Sequence, residues 1–555
     1  MDRRLKGVLI QAWGQWLVVL LFISAEFTLN RNMGFNNEVD VLPLARQFAD
    51  PTWIPQDWYL NQPTGYRFLF AGVVGWMTMA WGFLAASIVG RLGCYALMAA
   101  GLVGMGRSLG LRLPFLLLAI ACFLHSGLSP FVSSAEQGMA AKEWIVGSLE
   151  AKSVAYGLVL LAIASLLRGH ERRTAALLGV ATSFHVLVGG WAFLSGLGAW
   201  LWQHRQPWKA RPHPLLLLSL YVGCAATAIP AVVSQLLTPT TATADGFSPS
   251  FIYVFLRLPH HLNPLSWGVD KWLRIAIFIG LFGLARWRLH RQCSLLSSGQ
   301  NLACQRLSVW VSCSLVPFAL GLMAMFFDTQ GRVLQYYPFR LGDVMLPLGT
   351  VFLWAVLIQQ ALDAHPPAWW RPVSRGLLAL GVVIPTALLI WNGSQLAHFP
   401  DRQQAADGEW RQVCEWVRQN TPAEAIVVTP PADVTVVNLP WMTQRGIVAN
   451  YKFLPQTGPE IVAWYARLND LSGGNLDTLA EDPNGLRRSS NTRRRIQERL
   501  QDGFFDLDTD AAIALMSRYH ATYFLTEPEH SLALAIAYTS PNYRLYQAPP
   551  IVDLP

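Results

Sequence analysis

Phe35-Asn-Asn-Glu38-Val-Asp40-Val-Leu-Pro43-Leu-Ala-Arg46-Gln-Phe48-Ala-Asp50 is the first polar stretch of the chain, and it closely follows an apolar run over residues 8–29. A run of that length crosses a bilayer as a helix, so the polar stretch starts where the chain leaves the membrane. Proline suits the first turn of a helix. From Pro43 onward, Leu44, Ala45, Phe48 and Ala49 fall on one face, with Arg46, Gln47 and Asp50 on the other. The pattern predicts a short amphipathic helix in the membrane interface, with Glu38 and Asp40 on an extended segment before it. Side chains two residues apart on an extended backbone point the same way. Both acids then face one cavity, where mutual repulsion raises one pKa and suits it to act as a base. Asp57, beside Trp58 and Tyr59 at the far end of the loop, lies outside that pair.

The 555 residues are 53% hydrophobic and only 14% charged, with 23 tryptophans. The mean hydropathy is +0.31. That balance excludes an ordinary soluble domain and points to an α-helical polytopic membrane protein. Arg3, Arg4 and Lys6 precede the first apolar run, which is too long for a signal peptide and lacks a small-residue cleavage site. It reads as a retained span. The net charge of +8 is mostly loop arginine, which speaks for orientation in a membrane and against a nucleic-acid partner. The seven cysteines show neither metal spacing nor a disulfide framework.

Apolar runs over residues 8–29, 68–90, 113–132, 153–167, 214–237, 272–289, 307–327, 341–362 and 376–392 predict nine crossings. Residues 93–106 are apolar but short, flanked by Arg91, Arg107 and Arg112, and read as re-entrant or interfacial. Residues 174–202 are too short for two crossings, yet basic loops bracket them. Their centre, Ser183-Phe-His185-Val-Leu-Val-Gly189-Gly190, predicts two short helices meeting at the glycines inside the protein, where broken backbone is tolerated. Arginine-rich loops at 168–173 and 286–306 belong to the cytoplasm by the positive-inside rule. The amino terminus is then inside, and the carboxyl-terminal region is outside.

Two domains follow from this: residues 1–395 in the membrane, with a first external loop at 31–67, and residues 396–555 as an extracytoplasmic α/β domain. In the latter, Trp410, Val413, Cys414 and Val417 have helical spacing that ends at Asn420-Thr-Pro422. Strands are predicted at 425–428, 521–525 and 543–546, and helices at 460–468 and 511–519. The arginines at 487, 488 and 493–495 read as a solvated or headgroup-facing surface.

On this topology Glu38, Asp40, Glu150, Lys152, His260, His261, Arg332 and Arg340 gather on the outer face, with His185 near mid-plane. A carboxylate there can deprotonate an acceptor hydroxyl. Arginine or lysine can hold the phosphate of a lipid-linked donor and neutralise it as it leaves. Arg340, Arg332 and Lys152 are the candidate cations.

The chain resembles the polytopic C-class (GT-C) glycosyltransferases. The resemblance rests on Asn36-Asn-Glu38-Val-Asp40 in the first external loop, the interfacial helix after it, many spans, and the hairpin Phe184-His185-Val-Leu-Val-Gly189. It also rests on the domain opening Glu409-Trp-Arg-Gln-Val-Cys-Glu-Trp-Val-Arg-Gln-Asn-Thr-Pro422, similar to that of bacterial members of unassigned specificity. It implies a bacterial inner-membrane enzyme with a GT-C-like bundle and a periplasmic carboxyl-terminal domain. Such an enzyme moves a sugar, with inversion, from a polyprenyl-phosphate donor to a lipid, glycan or protein acceptor. The first-loop acid, Asp40 or Glu38, is the implied base, interrupted here by Val39. Arg340, Arg332, Lys152, Glu150, His185, His260 and His261 are the implied substrate-binding residues. Some relatives hold a divalent metal, Mg2+ or Mn2+, on these acids and others need none. The competing readings are a transporter or flippase of lipid-linked envelope precursors and a non-catalytic membrane scaffold. A transporter is expected to carry mid-plane charges on paired broken helices, and His185 has no second copy.

Overall fold

Long apolar stretches bury backbone polar groups only by forming helices, and the described residues up to 363 are mostly helical accordingly. The structure is a computed structural model, which describes residues 3–27, 37–63, 65–126, 137–203, 214–237, 243–244, 246–363 and 399–549 and the single positions 376, 383, 387 and 390. The main helices are α1 (Arg3–Phe27), α2 (Glu38–Ala49), α3 (Phe68–Ser108), α4 (Leu113–Leu124), α5 (Ala151–Leu167), α6 (Glu171–Phe184) and α7 (Val186–Gln203). They continue as α8 (Pro214–Cys224), α9 (Ile229–Leu237), α10 (Val269–Arg291), α11 (Ser298–Phe327) and α12 (Arg340–Asp363). Among the described residues, α3, α11 and α12 are long and apolar enough to cross a membrane, and α8 and α9 form a pair bent by 86°. The expected crossing at 376–392 and the boundary near 395 lie outside the described residues.

Three expectations change in detail. The apolar runs at 68–90 and 93–106 are not separated at Arg91; the helix is instead broken by a kink at Gly82 (φ 76°, ψ 170°) and runs on through Arg91. Glycine has no Cβ to clash in that left-handed region. The α6–α7 hairpin breaks at His185 (φ −150°, ψ 103°), not at the glycines. Gly189 instead lets α7 press on α6, since a Cβ there would lie 2.3 Å from the Thr182 backbone nitrogen. Finally, α2 begins at Glu38, with Pro43 inside its second turn. Helical residues two apart do not face each other, so Glu38 and Asp40 diverge.

Glu38 is fully buried. Its Oε1 accepts from Arg91 Nε and from the Leu149 amide, each at 2.6 Å, and its Oε2 accepts from Ser87 Oγ at 2.7 Å. One carboxylate therefore joins α2, α3 and the segment before α5. Arg91, 1% exposed, is an internal counter-ion and not a headgroup anchor.

The carboxyl-terminal part is a small α/β unit with α13 (Phe399–Asn420), α14 (Gly458–Leu471), α15 (Thr492–Phe505) and α16 (Thr509–Arg518). Its strands are β1 (Ile426–Val428), β2 (Gly446–Ile447), β3 (Tyr523–Thr526), β4 (Ala535–Thr539) and β5 (Arg544–Gln547), in sheet order β2-β1-β3-β5-β4. β1 runs parallel to β2 and β3, and β5 is antiparallel to β3 and β4. Trp410, Val413, Cys414 and Val417 are all buried, as their spacing predicts. They share one core with Val39, Ile54, Tyr59 and Leu60 of the first loop. The loop is thus part of the hydrophobic core of the carboxyl-terminal unit. Asp57 fixes the join: its Oδ1 accepts from the Leu60 amide at 2.8 Å and its Oδ2 from the β2 amide of Ile447 at 3.0 Å.

Breaking a buried ion pair from one side leaves an uncompensated charge, at a cost of about 3–5 kcal/mol. Glu38→Gln and Arg91→Met are each expected to lower the thermal unfolding midpoint in detergent, and the double variant to recover part of the loss. Equal midpoints for all forms would show that the pair does not hold α2.

Candidate functional site

Behind the first loop, between the helical part and the carboxyl-terminal unit, lies a cavity of about 320 Å³. Its wall is built by side-chain hydrogen bonds to backbone amides. Asp343, one turn after Arg340 on α12, accepts from the amides of Ala140 (2.7 Å), Ala141 (3.0 Å) and Glu143 (3.2 Å). The Gln137 side-chain oxygen accepts from the amides of Ile145 and Val146. These bonds shape the irregular segment that presents Glu143 and Glu150 and leads into α5, where Lys152 stands. A run of π-helical turns, Ile252–Arg257, and the short helix Pro259–Leu262 bring Arg257, His260 and His261 to the opposite wall.

Of the residues expected from sequence, Asp40, Glu150, Lys152, His185, His260, His261 and Arg340 all line this cavity. Glu38 and Arg332 do not. Glu38 is consumed by Arg91, and Arg332 is exposed, its amide donating to Asp328. Asn37, Arg67, Arg257, Lys452 and Arg493 also line it. Arg493, expected on a solvated or headgroup-facing surface, instead reaches the cavity. Asp57 supports the loop from outside the site.

Two cation groups differ in their charge balance. In the first, Arg340 Nε donates to Glu143 Oε2 at 2.9 Å, and Lys152 Nζ lies 3.1 Å from Glu143 Oε1. Although burial opposes it, Arg340 and then Lys152 hold the Glu143 carboxyl below its ordinary pKa. Arg340 Nη1 sits 3.1 Å from His185 Nε2, and its guanidinium stacks 3.8 Å from the centre of the Tyr337 ring. The Lys152 ammonium lies 3.8 Å over Trp144. This group is held rigidly and largely neutralised.

The second group is Arg257, Lys452 and Arg493. Among the described residues none of the three lies within ion-pair distance of a carboxylate. Arg257 donates to the Lys452 carbonyl at 3.2 Å and stacks on Tyr451. Lys452 Nζ donates to Asn37 Oδ1 at 3.0 Å. Arg493 Nη1 stands 3.4 Å from His260 Nε2. Arg257 Nε, Arg493 Nε and His260 Nδ1 are buried with no hydrogen-bond partner among the described residues. Buried donors are normally satisfied, so these atoms point to an acceptor supplied from outside. Burial, then the nearby Arg257, pushes the Lys452 ammonium down to about 8. Burial also holds His260 below the ordinary histidine value and His261 down to about 3, so both rings are neutral at physiological pH.

Asp40 stands on the same cavity with its carboxylate accepting from the Tyr59 hydroxyl. Burial lifts its pKa above the ordinary carboxylate range, against the pull of Arg67, Tyr59 and Lys452. Glu150 accepts from Asn37 at 2.7 Å and from Ser148 at 3.1 Å. A divalent metal shared by Glu38 and Asp40 does not fit, because both Glu38 oxygens are already bonded to Arg91, Ser87 and the Leu149 amide. Among the described residues no three His, Cys, Asp or Glu side chains group as a cation site.

A domain of unknown function, DUF6798, matches residues 408–471. That segment covers the end of α13, β1, β2 and α14, and it carries Lys452 and the Ile447 amide that Asp57 holds. No curated protein matches the chain.

A lysine binds an anion only while it is protonated. The affinity for inorganic pyrophosphate, measured by titration calorimetry, is therefore expected to fall as pH rises through about 8. Lys452→Arg is expected to remove that limb. A limb that survives in Lys452→Arg would assign the titration elsewhere.

Proposed function

We propose that the chain is a membrane glycosyltransferase of the polytopic C-class kind. In this reading it transfers a sugar from a polyprenyl-phosphate donor to a lipid, glycan or protein hydroxyl. The observation that carries the reading is the facing of one half-buried carboxylate, Asp40, and a cation group with no ion-pair partner among the described residues, Arg257, Lys452 and Arg493, across one cavity. A base and an anion clamp are the parts this transfer requires.

In the proposed step, an Asp40 oxygen takes the proton of the acceptor hydroxyl as its oxygen attacks the anomeric carbon. The bond from that carbon to the lipid phosphate oxygen breaks, and the phosphate leaves with the electron pair. Attack opposite the leaving group inverts the anomeric centre. The charge that grows on the phosphate oxygens meets Arg257, Arg493 and Lys452, where preorganised donors are most effective. Neutral His260 and His261 offer hydrogen bonds without adding charge, and the Arg340–Glu143–Lys152 group shapes the wall beside them. Asp40 takes the role of base and Glu38 that of its structural support. No step requires a metal on the Glu38 and Asp40 pair.

The proposal includes a bundle with more spans than the three clear ones, in a bacterial inner membrane, with the amino terminus cytoplasmic and the carboxyl-terminal unit periplasmic. An exposed cysteine introduced by Arg411→Cys is expected to react with an impermeant maleimide on intact cells, while one introduced by Arg172→Cys is protected. Native Cys414 is 1% exposed and stays silent. The reverse labelling pattern would overturn the orientation.

Asp40→Asn keeps the shape and removes the base, so sugar transfer by the purified protein is expected to fall by about 10²–10⁴-fold with an unchanged unfolding midpoint. In the unsubstituted protein the rate is expected to rise with pH along a limb centred above the ordinary aspartate value. Full transfer by folded Asp40→Asn protein would remove the mechanism.

A further inference from the structure

A second cavity lies far from the first, where α1, α3 and α5 meet. Its volume is about 780 Å³, and its wall is apolar except at one end. Gly93, Ala96, Ala100, Val103 and Gly104 of α3 make one wall, at the helical spacing of a single face. Trp13 and Trp16 of α1 make the other, with Trp16 Nε1 donating to the Ala96 carbonyl at 3.0 Å. At the far end stand Arg107, Arg168 and Arg173.

None of these arginines has an ion-pair partner among the described residues. Arg168 donates to Ser108 Oγ and to the Gly104 carbonyl, and it is held between the like charges of Arg107 and Arg173. α5 leads from the cavity of Asp40, beside Lys152, to Arg168 at its other end. Those 17 residues span about 25 Å at 1.5 Å per residue, close to the thickness of bilayer hydrocarbon. The arginines therefore sit one membrane depth away from the candidate site.

We infer that this groove binds one anionic phospholipid of the opposite leaflet, its phosphate on Arg107, Arg168 and Arg173 and an acyl chain along Gly93, Ala96 and Ala100. Charge complementarity selects the occupant: three clustered guanidinium groups with no acid at the end of an apolar trough match one anionic headgroup with its tail. Basic pockets between membrane helices take anionic headgroups by this arrangement. Gly93 shows that the trough is open, since a Cβ built there meets no atom within 4 Å. Elsewhere on α3, a Cβ at Gly101 would lie 2.5 Å from the Leu160 Cβ and one at Gly104 would lie 2.8 Å from the Ala164 Cβ. The helix packs closely against α5 and leaves the space on the Gly93 side. The glycosyl-transfer chemistry does not enter this inference; Lys152 serves only to mark the opposite end of α5.

Native mass spectrometry of the full chain in detergent, titrated with phosphatidylglycerol and with phosphatidylcholine, tests it. One phosphatidylglycerol per chain is expected to be retained about 100-fold more tightly than phosphatidylcholine, at about fivefold per arginine. Arg107→Gln with Arg173→Gln is expected to reduce that preference roughly 20–30-fold. Gly93→Leu projects a side chain into the trough from a Cβ position with open space and is expected to abolish retention of either lipid at an unchanged unfolding midpoint. Equal retention of the two lipids would overturn the inference. So would full phosphatidylglycerol retention by Gly93→Leu, which would place the lipid on surface arginines and outside the groove.

Discussion

The Glu38–Arg91 pair decides where everything around the candidate site points. Both side chains are buried, so the pair gains little over an apolar contact of similar volume once desolvation is counted. What it provides is orientation. Only one rotation of α2 lets Glu38 reach Arg91, Ser87 and the Leu149 amide together. That rotation turns Asp40 away from Glu38, toward the cavity and the Tyr59 hydroxyl. Helical geometry thereby separates two acids that sit two positions apart in sequence into a support and a candidate base.

The same loop then crosses into the carboxyl-terminal unit. Asp57 holds β2, while Ile54, Tyr59 and Leu60 enter the core with Val413 and Val427. The cavity consequently has two halves that assemble only when that unit is docked. Asp40 and Arg340 come from one half and Lys452 and Arg493 from the other. Burial at the join disfavours the charged ammonium and so lowers the Lys452 pKa, while the same low dielectric strengthens the pull of its protonated form on an anion.

Much of the architecture was legible because its signals are local. The apolar runs at 68–90, 307–327 and 341–362 lie in the three helices long and apolar enough to cross a membrane, and Trp410, Val413, Cys414 and Val417 marked the helix that shares a core with Val427 of β1. The periodic residues at 460–468 and 511–519 likewise became helices. The site was legible as residue types, since most of the expected charged residues do meet in one cavity. What the sequence hid was set by long-range contacts. Whether Glu38 and Asp40 share a face depends on where α2 starts, and Pro43 suggested a start one turn too late. Arg91 reads as a flanking charge unless its partner 53 residues away is known. Arg493 sits in an arginine run of surface composition, and only the docking of α15 against Tyr451 and His260 brings it inward. Asp343 gave no motif, because its role is to accept three amides from a segment 200 residues away.

The central claim is that the junction cavity holds a lipid phosphate between the halves of the protein with Asp40 facing the sugar. A cryo-electron microscopy structure of the full chain with a non-hydrolysable polyprenyl-phosphate sugar analogue tests it most directly. The expected map has phosphate density within hydrogen-bond distance of Arg257, Lys452 and Arg493, and sugar density against Asp40. Phosphate density elsewhere, or a continuous path through the membrane with the analogue inside it, would contradict the claim.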